Sequence, residues 1–318
     1  MQRRSLIAAA LALCAASAFA QGNGYPSKPI RLLLPFAPGG PSDVIARLVA
    51  NKLGEEVKQP VVVVNAPGAG GMIASQQAAA AAPDGYTIFY ANQSTLNIAP
   101  QVMHRPQQEF AAIAPVLSFS LVLAANPSVQ AKDVKELIQY AKAKPGGLSF
   151  ASPGVGTTPH LMGEMFQRET GVKMVHVAYK GAAPAVQDLL AGHVQLFFDQ
   201  LFMLDPHFKD GKLKPLVTTS PTRLPALPDV PTMTELGMPQ LTLQSWSGMV
   251  APVGTPKETV AYLNRAFNKV LDLPEVREAI VSRGLEPMKG TPESFAKTIR
   301  DDYPRWTPII QGAHIVAE

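Results

Sequence analysis

Apolar and polar positions in the first third of the chain follow two alternating patterns. Short apolar runs typical of buried strands lie at Ile30–Phe36, Val61–Val64 and Thr87–Ala91. Between these runs, segments 43–56 and 72–82 carry apolar residues at helical spacing. Strands that alternate with helices predict an α/β fold with mostly parallel sheets.

A similar order recurs in the middle of the chain. Strand-like runs at Leu148–Ala151, Val172–Val177 and Val194–Phe198 enclose helical segments at Pro159–Thr170 and Ala183–Ala191. The two regions predict two βαβαβ lobes built on one plan. Too few residues match between them to indicate a sequence duplication.

Two extended segments, near 115–124 and 214–219, are expected to cross between the lobes. A chain that crosses twice returns to the lobe where it began. The predicted first lobe therefore comprises residues 21–122 and 222–318, and the second comprises residues 123–221. Three tail helices opened by proline are expected on the first lobe, the last of them broken at Pro304: Pro256–Leu271, Pro274–Arg283 and Pro292–Gly312.

Residues 1–20 have the three parts of a secretory signal. The basic pair Arg3-Arg4 precedes an apolar run, Leu6–Ala16, and the small-x-small pattern Ala18-Phe19-Ala20 follows. The run is shorter than the roughly 20 apolar residues that span a bilayer. We therefore expect cleavage near Ala20 and a periplasmic protein. The general export route and the twin-arginine route both stay open.

Charge and cysteine content exclude several classes of function. Only two of the 28 basic residues lie in the leader, so the rest of the chain is nearly balanced against 24 acidic residues, which does not suit a nucleic-acid binder. Cys14, the one cysteine, lies in the leader, and the six histidines show no metal spacing. We expect no metal, no cofactor and no catalytic residues, because nucleophile-elbow and zinc-hydrolase motifs are absent from the sequence.

Two glycine loops each follow a strand and open a helix. Pro38, Gly39 and Gly40 form the first loop, and Gly154–Gly156 belong to the second. Such loops leave backbone N–H groups unpaired at the positive end of a helix dipole. The ligand expected at such a position is a carboxylate or a phosphate. The simpler alternative is that the glycines only make tight turns.

Hydroxyl groups at the predicted helix starts fit two roles. Ser42, Thr157 and Thr158 would cap their helices, contact a ligand, or do both. Gly181 and Ala182 follow the second strand of the second lobe and could offer N–H groups to the far end of a ligand.

Three titratable residues are further candidates for the site. Asp43 suits the first turn of its helix, where it would also hold a ligand ammonium or exclude excess ligand charge. His160 is a packing or capping residue, or the base of a secreted hydrolase. Asp199 either faces the cleft or caps the next turn.

The ordered set of loops resembles the Bug family, the periplasmic solute receptors of tripartite tricarboxylate transporters. The resemblance covers essentially the whole chain after the leader. Its segments are Tyr25–Ile30, Pro35–Gly40 with Asp43 and Arg47, Asn65–Gly71, Pro83–Thr87, Gly154–Leu161, Tyr179–Gly181, Arg223–Thr232 and Ala251–Pro256. Asn97 departs from the histidine that the family often has there, and residues 104–109 are altered. The segment Gln93–Gln101 is therefore expected to influence ligand choice.

This resemblance implies a two-lobed periplasmic-binding-protein-like fold that closes over its ligand like a trap. It implies that a ligand carboxylate is held by backbone N–H groups and ordered waters from both lobes. The candidates that it marks are Gly39, Gly40, Ser42, Gly156, Thr157 and Thr158 near the carboxylate, and Gly181, Ala182 and Asp199 at the distal end.

Together these features predict a monomeric receptor that captures a small organic carboxylate and delivers it to membrane permease subunits. One alternative is a receptor of the same fold that feeds a sensor kinase. The other is a secreted hydrolase that uses His160.

Overall fold

A computed structural model describes residues 24–312, which form two β-sheets flanked by helices. The leader and its cleavage site lie outside these residues. The first sheet has six strands: β1 (Ile30–Leu34), β2 (Val61–Asn65), β3 (Thr87–Asn92), β4 (Phe110–Phe119), β10 (Ser245–Pro252) and β11 (Glu286–Pro287). Their order in space is β11-β4-β10-β3-β1-β2.

The second sheet has five strands and lies between the two sequence segments of the first. Its strands are β5 (Leu121–Ala125), β6 (Ser149–Ser152), β7 (Val175–Ala178), β8 (Leu196–Gln200) and β9 (Lys214–Thr218). Their order is β7-β6-β8-β5-β9. Only Ser120 separates β4 from β5, so the chain passes from one sheet to the other almost without a linker.

The predicted two-lobed α/β fold is confirmed, and each of its sheets is mixed. Strand β1 runs parallel to β2 and β3, and β6 runs parallel to β7 and β8. Strand β10 is antiparallel to β3 and β4, and β5 is antiparallel to β8 and β9. The antiparallel pairs arise from the strands that carry the chain between the lobes, because these strands do not belong to a β-α-β unit.

Ten α-helices are found within residues 24–312. They are α1 (Pro41–Val57), α2 (Met72–Ala79), α3 (Ala99–Val102), α4 (Val134–Ala143), α5 (Thr158–Thr170), α6 (Ala182–Ala191), α7 (Leu201–Lys209), α8 (Lys257–Asp272), α9 (Pro274–Val281) and α10 (Pro292–Gly312). A π-helical segment, Ser94–Ile98, precedes α3. Within these residues, no helix has the length and apolar character needed to cross a bilayer.

The tail helices cover the first sheet. Helix α8 packs against α1 and β4, and α10 packs against β4 and the π-helical segment. In α8, Val260, Leu263, Phe267 and Val270 are buried and recur at helical spacing. The three tail helices therefore add a layer to the lobe that contains β1.

The prediction of a break at Pro304 was wrong, because α10 continues through that residue. An internal proline removes one backbone hydrogen bond and disfavours the helix by about 3 kcal/mol. Phe295, Trp306 and Ile310 are all buried on the inner face of α10. Burial of each such side chain is worth about 1.5–3 kcal/mol, which offsets the loss.

Candidate ligand-binding site

The first residues of three helices line one cavity between the two sheets. They are residues 40–42 of the α1 start, residues 157–159 of the α5 start, and Ala182 of α6. The rest of the lining consists of Phe36, Asn92, Ser94, Phe119, Leu121, Pro153, Asp199 and Gln200. The space among these residues, with the cleft opening counted, is about 470 Å³.

Unpaired backbone donors and helix dipoles make this cavity suitable for an anion. The N–H groups of Gly40, Ser42 and Ala182 have no protein acceptor among the described residues. Each lies in the first turn of a helix, where the dipole contributes partial positive charge. Helix starts from both lobes therefore converge on the same space.

The loop before α1 is shaped by two glycines in different conformations. Gly39 has φ +86°, a value that favours glycine, and its N–H donates to Asp43 Oδ2 at 3.1 Å. Gly40 is the N-cap of α1, with φ −80° and ψ 173°, a conformation open to any residue. Pro38 and Gly39 are exposed at the tip of the loop, and neither lines the cavity.

Asp43 holds this loop in place instead of lining the cavity. Its carboxylate accepts from Arg47 Nε at 3.0 Å and Asn65 Nδ2 at 2.9 Å, in addition to Gly39 N–H. Arg47 Nη2 also lies 2.9 Å from Asp43 Oδ1. Burial raises the pKa of Asp43, but the bonds from Arg47, Asn65 and Gly39 outweigh it, so that the net pKa is lowered. Both carboxylate oxygens are thus engaged by protein donors.

The loop before α5 brings the second lobe close to the first. Gly156 has φ +76°, and its N–H donates to His160 Nδ1 at 3.2 Å. A Cβ at Gly156 would lie 2.9 Å from the Cα of Ala99, so a side chain has no room there. Thr157 is the N-cap, and its hydroxyl donates to the Gly154 carbonyl at 2.7 Å.

Thr158 is bonded across the cleft to the first lobe. Its backbone N–H donates to Ser94 Oγ at 2.8 Å, and the two hydroxyl oxygens are 3.0 Å apart. A second contact between the lobes joins the Ala37 N–H to the Lys180 carbonyl at 3.2 Å. The lobes are therefore closed on each other. None of the hydroxyls predicted as helix caps, those of Ser42, Thr157 and Thr158, makes a capping bond in this arrangement.

His160 packs in an aromatic stack outside the cavity. Its ring lies 3.9 Å from that of His176, centroid to centroid, and the two planes are 18° apart. Burial, with a smaller effect of His176, lowers the pKa of His160 to about 3, and burial lowers that of His176 to about 4. The Ser152 hydroxyl lies 2.6 Å from His176 Nε2. These contacts give both histidines neutral, structural roles.

The distal residues lie around the start of α6 and the end of β8. Gly181 has φ +149°, and a Cβ there would meet the backbone nitrogen of Ala37 at 3.3 Å. Ala182 and Asp199 line the cavity, but Gly181 does not. Asp199 is only 2% exposed, and burial raises its pKa to about 7, against the opposing effect of the Gln200 N–H.

The cavity brings together half of the residues proposed from sequence. Gly40, Ser42, Thr157, Thr158, Ala182 and Asp199 line it, whereas Pro38, Gly39, Asp43, Gly156, His160 and Gly181 support the loops around it. Sequence reasoning did not single out Asn92 and Ser94, although Ser94 falls in the segment expected to influence ligand choice. Asn92 ends the third strand of the first lobe and Ser94 follows it, so the rule that ligands lie beyond the carboxyl ends of strands could have found them. Among the described residues, no cluster of three or more His, Cys, Asp or Glu side chains could hold a metal.

Comparison with known proteins identifies the type of molecule. A family model described as "Tripartite tricarboxylate transporter family receptor" matches residues 45–315. The periplasmic binding protein BugD shares 34% identity and a TM-score of 0.88, over 92% of this chain and all of BugD. The Rhodopseudomonas palustris protein Rpa4515, solved with adipate, shares 31% identity and a TM-score of 0.87, over 92% of this chain and 99% of Rpa4515.

A third solved structure, MatC from the same organism with bound malate, shares 30% identity and a TM-score of 0.85. The match covers 90% of this chain and all of MatC. The relatives are receptors and binding proteins rather than enzymes, as the sequence predicted. The chain is a solute-binding protein of the tripartite tricarboxylate transporter receptor family, to which the Bug proteins belong.

Proposed function

We propose that this receptor works in the periplasm, captures a small organic anion by a carboxylate group and delivers it to membrane permease subunits. The observation that carries the proposal is the convergence of three helix starts from two lobes on one cavity. Backbone N–H groups at helix starts recognise carboxylates without a charged side chain. The adipate and malate bound by two related proteins are ligands of this chemical class.

In this proposal, one ligand carboxylate lies against the N–H groups of Gly40, Ser42 and Ala182. Gly40 and Ser42 belong to the first lobe and Ala182 to the second, so one ligand group contacts both lobes when they close. The contact between Ser94 and Thr158 then excludes water from the bound anion. Closure around the ligand would produce the difference in shape that a permease can recognise.

A thermal-shift and calorimetric screen of mature protein recovered from the periplasm tests the ligand class. We expect stabilisation by adipate, malate or another organic acid, and none by neutral sugars. The Gly40→Val variant places a side chain where the anion approaches the backbone, 3.9 Å from the Cβ of Ala182. Since Gly40 already has an extended conformation, the variant should fold normally and lose binding by more than about tenfold.

Gly24→Val is the matched control, because a Cβ there would meet no atom of the described residues within 4 Å apart from its chain neighbours. It should bind like the parent protein. Stabilisation by sugars alone, or unchanged binding in Gly40→Val, would overturn the assignment of the anion site. Uptake of the identified acid by cells that lack the receptor gene, compared with complemented cells, tests delivery to a permease.

A further inference from the structure

Asp199 is a buried carboxylate that the proposed anion site does not explain. It is the fourth residue of β8, in the middle of the second sheet, where it pairs with Val122 of β5. Its side chain lines the cavity and is almost fully buried, and Oδ2 has no hydrogen-bond partner among the described residues. An unpaired buried acceptor of this kind is costly and indicates a missing partner.

Within the described part of the chain, no cation that lines the cavity compensates the charge of Asp199. Among the lining residues, Asp199 is the one titratable side chain, and the others are apolar, hydroxyl, amide or glycine residues. No charged group contributes to the raised pKa of Asp199, which burial dominates. The situation of Asp43 is the opposite, because Arg47, Asn65 and Gly39 all donate to it.

The cavity therefore has two unlike ends. Unpaired N–H donors at the helix starts suit a carboxylate, whereas Asp199 offers an unpaired acceptor. When Asp199 is ionised, a second ligand carboxylate beside it would bring two negative charges together in a buried space, which is unfavourable. A hydroxyl or ammonium group at the same place would complete the bonding of Oδ2.

We propose that Asp199 accepts a hydrogen bond from a donor group on the ligand, and thereby selects hydroxy or amino carboxylates over acids with a second carboxylate at that position. This inference rests on the proposed function, since it assumes that a carboxylate occupies the helix starts. The sequence also allowed Asp43 to hold a ligand ammonium or exclude excess ligand charge. In this proposal Asp199 has that role. Hydroxy and amino carboxylates both carry a hydrogen-bond donor that could bond to Asp199. An experiment can distinguish a hydroxyl donor from an ammonium donor.

Acids with a four-carbon backbone provide the test. The series comprises butanoate, its hydroxy and amino derivatives substituted at carbon 2 or carbon 4, and butanedioate, each titrated calorimetrically into the mature protein. We expect at least one hydroxy or amino derivative to bind about tenfold or more tightly than butanoate, as for a hydrogen bond to a charged group. Butanedioate should bind more weakly than that derivative.

Two substitutions then assign the preference to Asp199. In Asp199→Asn the amide oxygen still accepts from a hydroxyl but no longer neutralises an ammonium, so only a preference for an amino derivative should fall, by about tenfold or more. Asp199→Leu should abolish a preference of either kind. Neither variant should melt below the parent protein, because each removes an unpaired buried carboxylate. Asp229→Asn, at an exposed site, is the control for the chemical change.

The outcomes separate the two proposals. If butanoate or butanedioate binds the parent protein as tightly as every donor-bearing acid, the role of Asp199 is overturned while the anion site stands. That role is likewise overturned if both Asp199 variants keep the ranking of the parent. If no acid in the series binds the parent, the inference fails, and a screen that also finds no other carboxylate overturns the proposed function.

Discussion

Ser94 Oγ in the first lobe accepts the backbone N–H of Thr158 in the second lobe at 2.8 Å. Thr158 is the first residue of α5, so this N–H is one of the helix-start donors that have no partner within the helix. Ser94 begins the π-helical segment, a type of irregularity that is frequent at functional sites. Closure of the lobes thus pairs a donor of one lobe with an acceptor of the other.

Replacement of Ser94 by alanine should weaken ligand binding by favouring the open form. In the closed form the variant leaves the Thr158 N–H buried and unpaired, at a cost of about 1–3 kcal/mol. Calorimetric titration with the identified ligand measures the loss. Ser282→Ala, at an exposed serine, should bind like the parent. Equal affinity of all three proteins would show that the Ser94–Thr158 bond does not contribute to closure.

Replacement of Asp43 by alanine should destabilise the first lobe and disorder the loop before α1. The variant leaves Gly39 N–H and the Nε of Arg47 without their acceptor, and we expect a loss of about 1–3 kcal/mol in the free energy of unfolding. Asp210→Ala breaks, among the described residues, only an exposed ion pair with Lys212 and should cost less than about 1 kcal/mol. Urea denaturation of both variants at neutral pH makes the comparison, and equal losses would contradict the role given to Asp43.

The stack of His160 and His176 should make the protein sensitive to acid. Their folded pKa values, about 3 and about 4, lie below the ordinary value of 6.5, so the unfolded chain binds more protons between these limits. The stability that the neutral histidines contribute is present above pH 6.5 and is lost as the pH falls toward 3–4. Between pH 7 and pH 5 we expect a loss of about 1–2 kcal/mol for each histidine.

Denaturation of His160→Gln and His176→Gln at both pH values tests this expectation. Each variant should lose less stability on acidification than the parent does. His193→Gln is the control, because His193 is exposed and its ring pairs at the surface with Asp188. Identical pH dependence in the parent and both stack variants would rule out a titrating role for the pair.

Asp302 lies in α10, and its replacement by alanine should disturb the ligand-binding site in the cleft. Asp302 accepts from Gln93 Nε2 at 3.0 Å, Asn97 Nδ2 at 2.8 Å and Trp306 Nε1 at 3.1 Å, and so ties α10 to the π-helical segment. We expect a loss of about 1–3 kcal/mol in stability together with weaker ligand binding, because Ser94 shifts with its segment. Among the described residues, Asp301→Ala removes only exposed ion pairs, and it should leave both properties unchanged. Parent-like binding by a folded Asp302→Ala protein would mean that α10 does not position Ser94.

The sequence predicted most elements of the repeated β-α units, because their apolar spacing is local. It missed the strands β10 and β11 and the helices α3, α4 and α7, and it placed a break at Pro304 that is absent. Strand β10 is buried at all eight positions, so it lacks the alternation that marks a half-buried strand. Whether α10 passes a proline depends on the burial of Trp306 against the rest of the lobe, which no local pattern contains.

The residue types and their local order specify the chemistry available at the site, whereas three-dimensional packing sets how each group is used. Glycine loops after strands predict backbone donors because backbone geometry and helix dipoles are local properties. Asp43 and Asp199 are the same type of residue. Three protein donors bond the carboxylate of Asp43, whereas Oδ2 of Asp199 is buried without a partner among the described residues. Burial and hydrogen bonding depend on residues distant in sequence, such as Asn65 beside Asp43, and Ser94 beside Thr158, 64 positions away. Tertiary packing supplies those neighbours, within one lobe for Asp43 and between the two lobes for Thr158, and with them the pKa, the charge and the accessibility of each group.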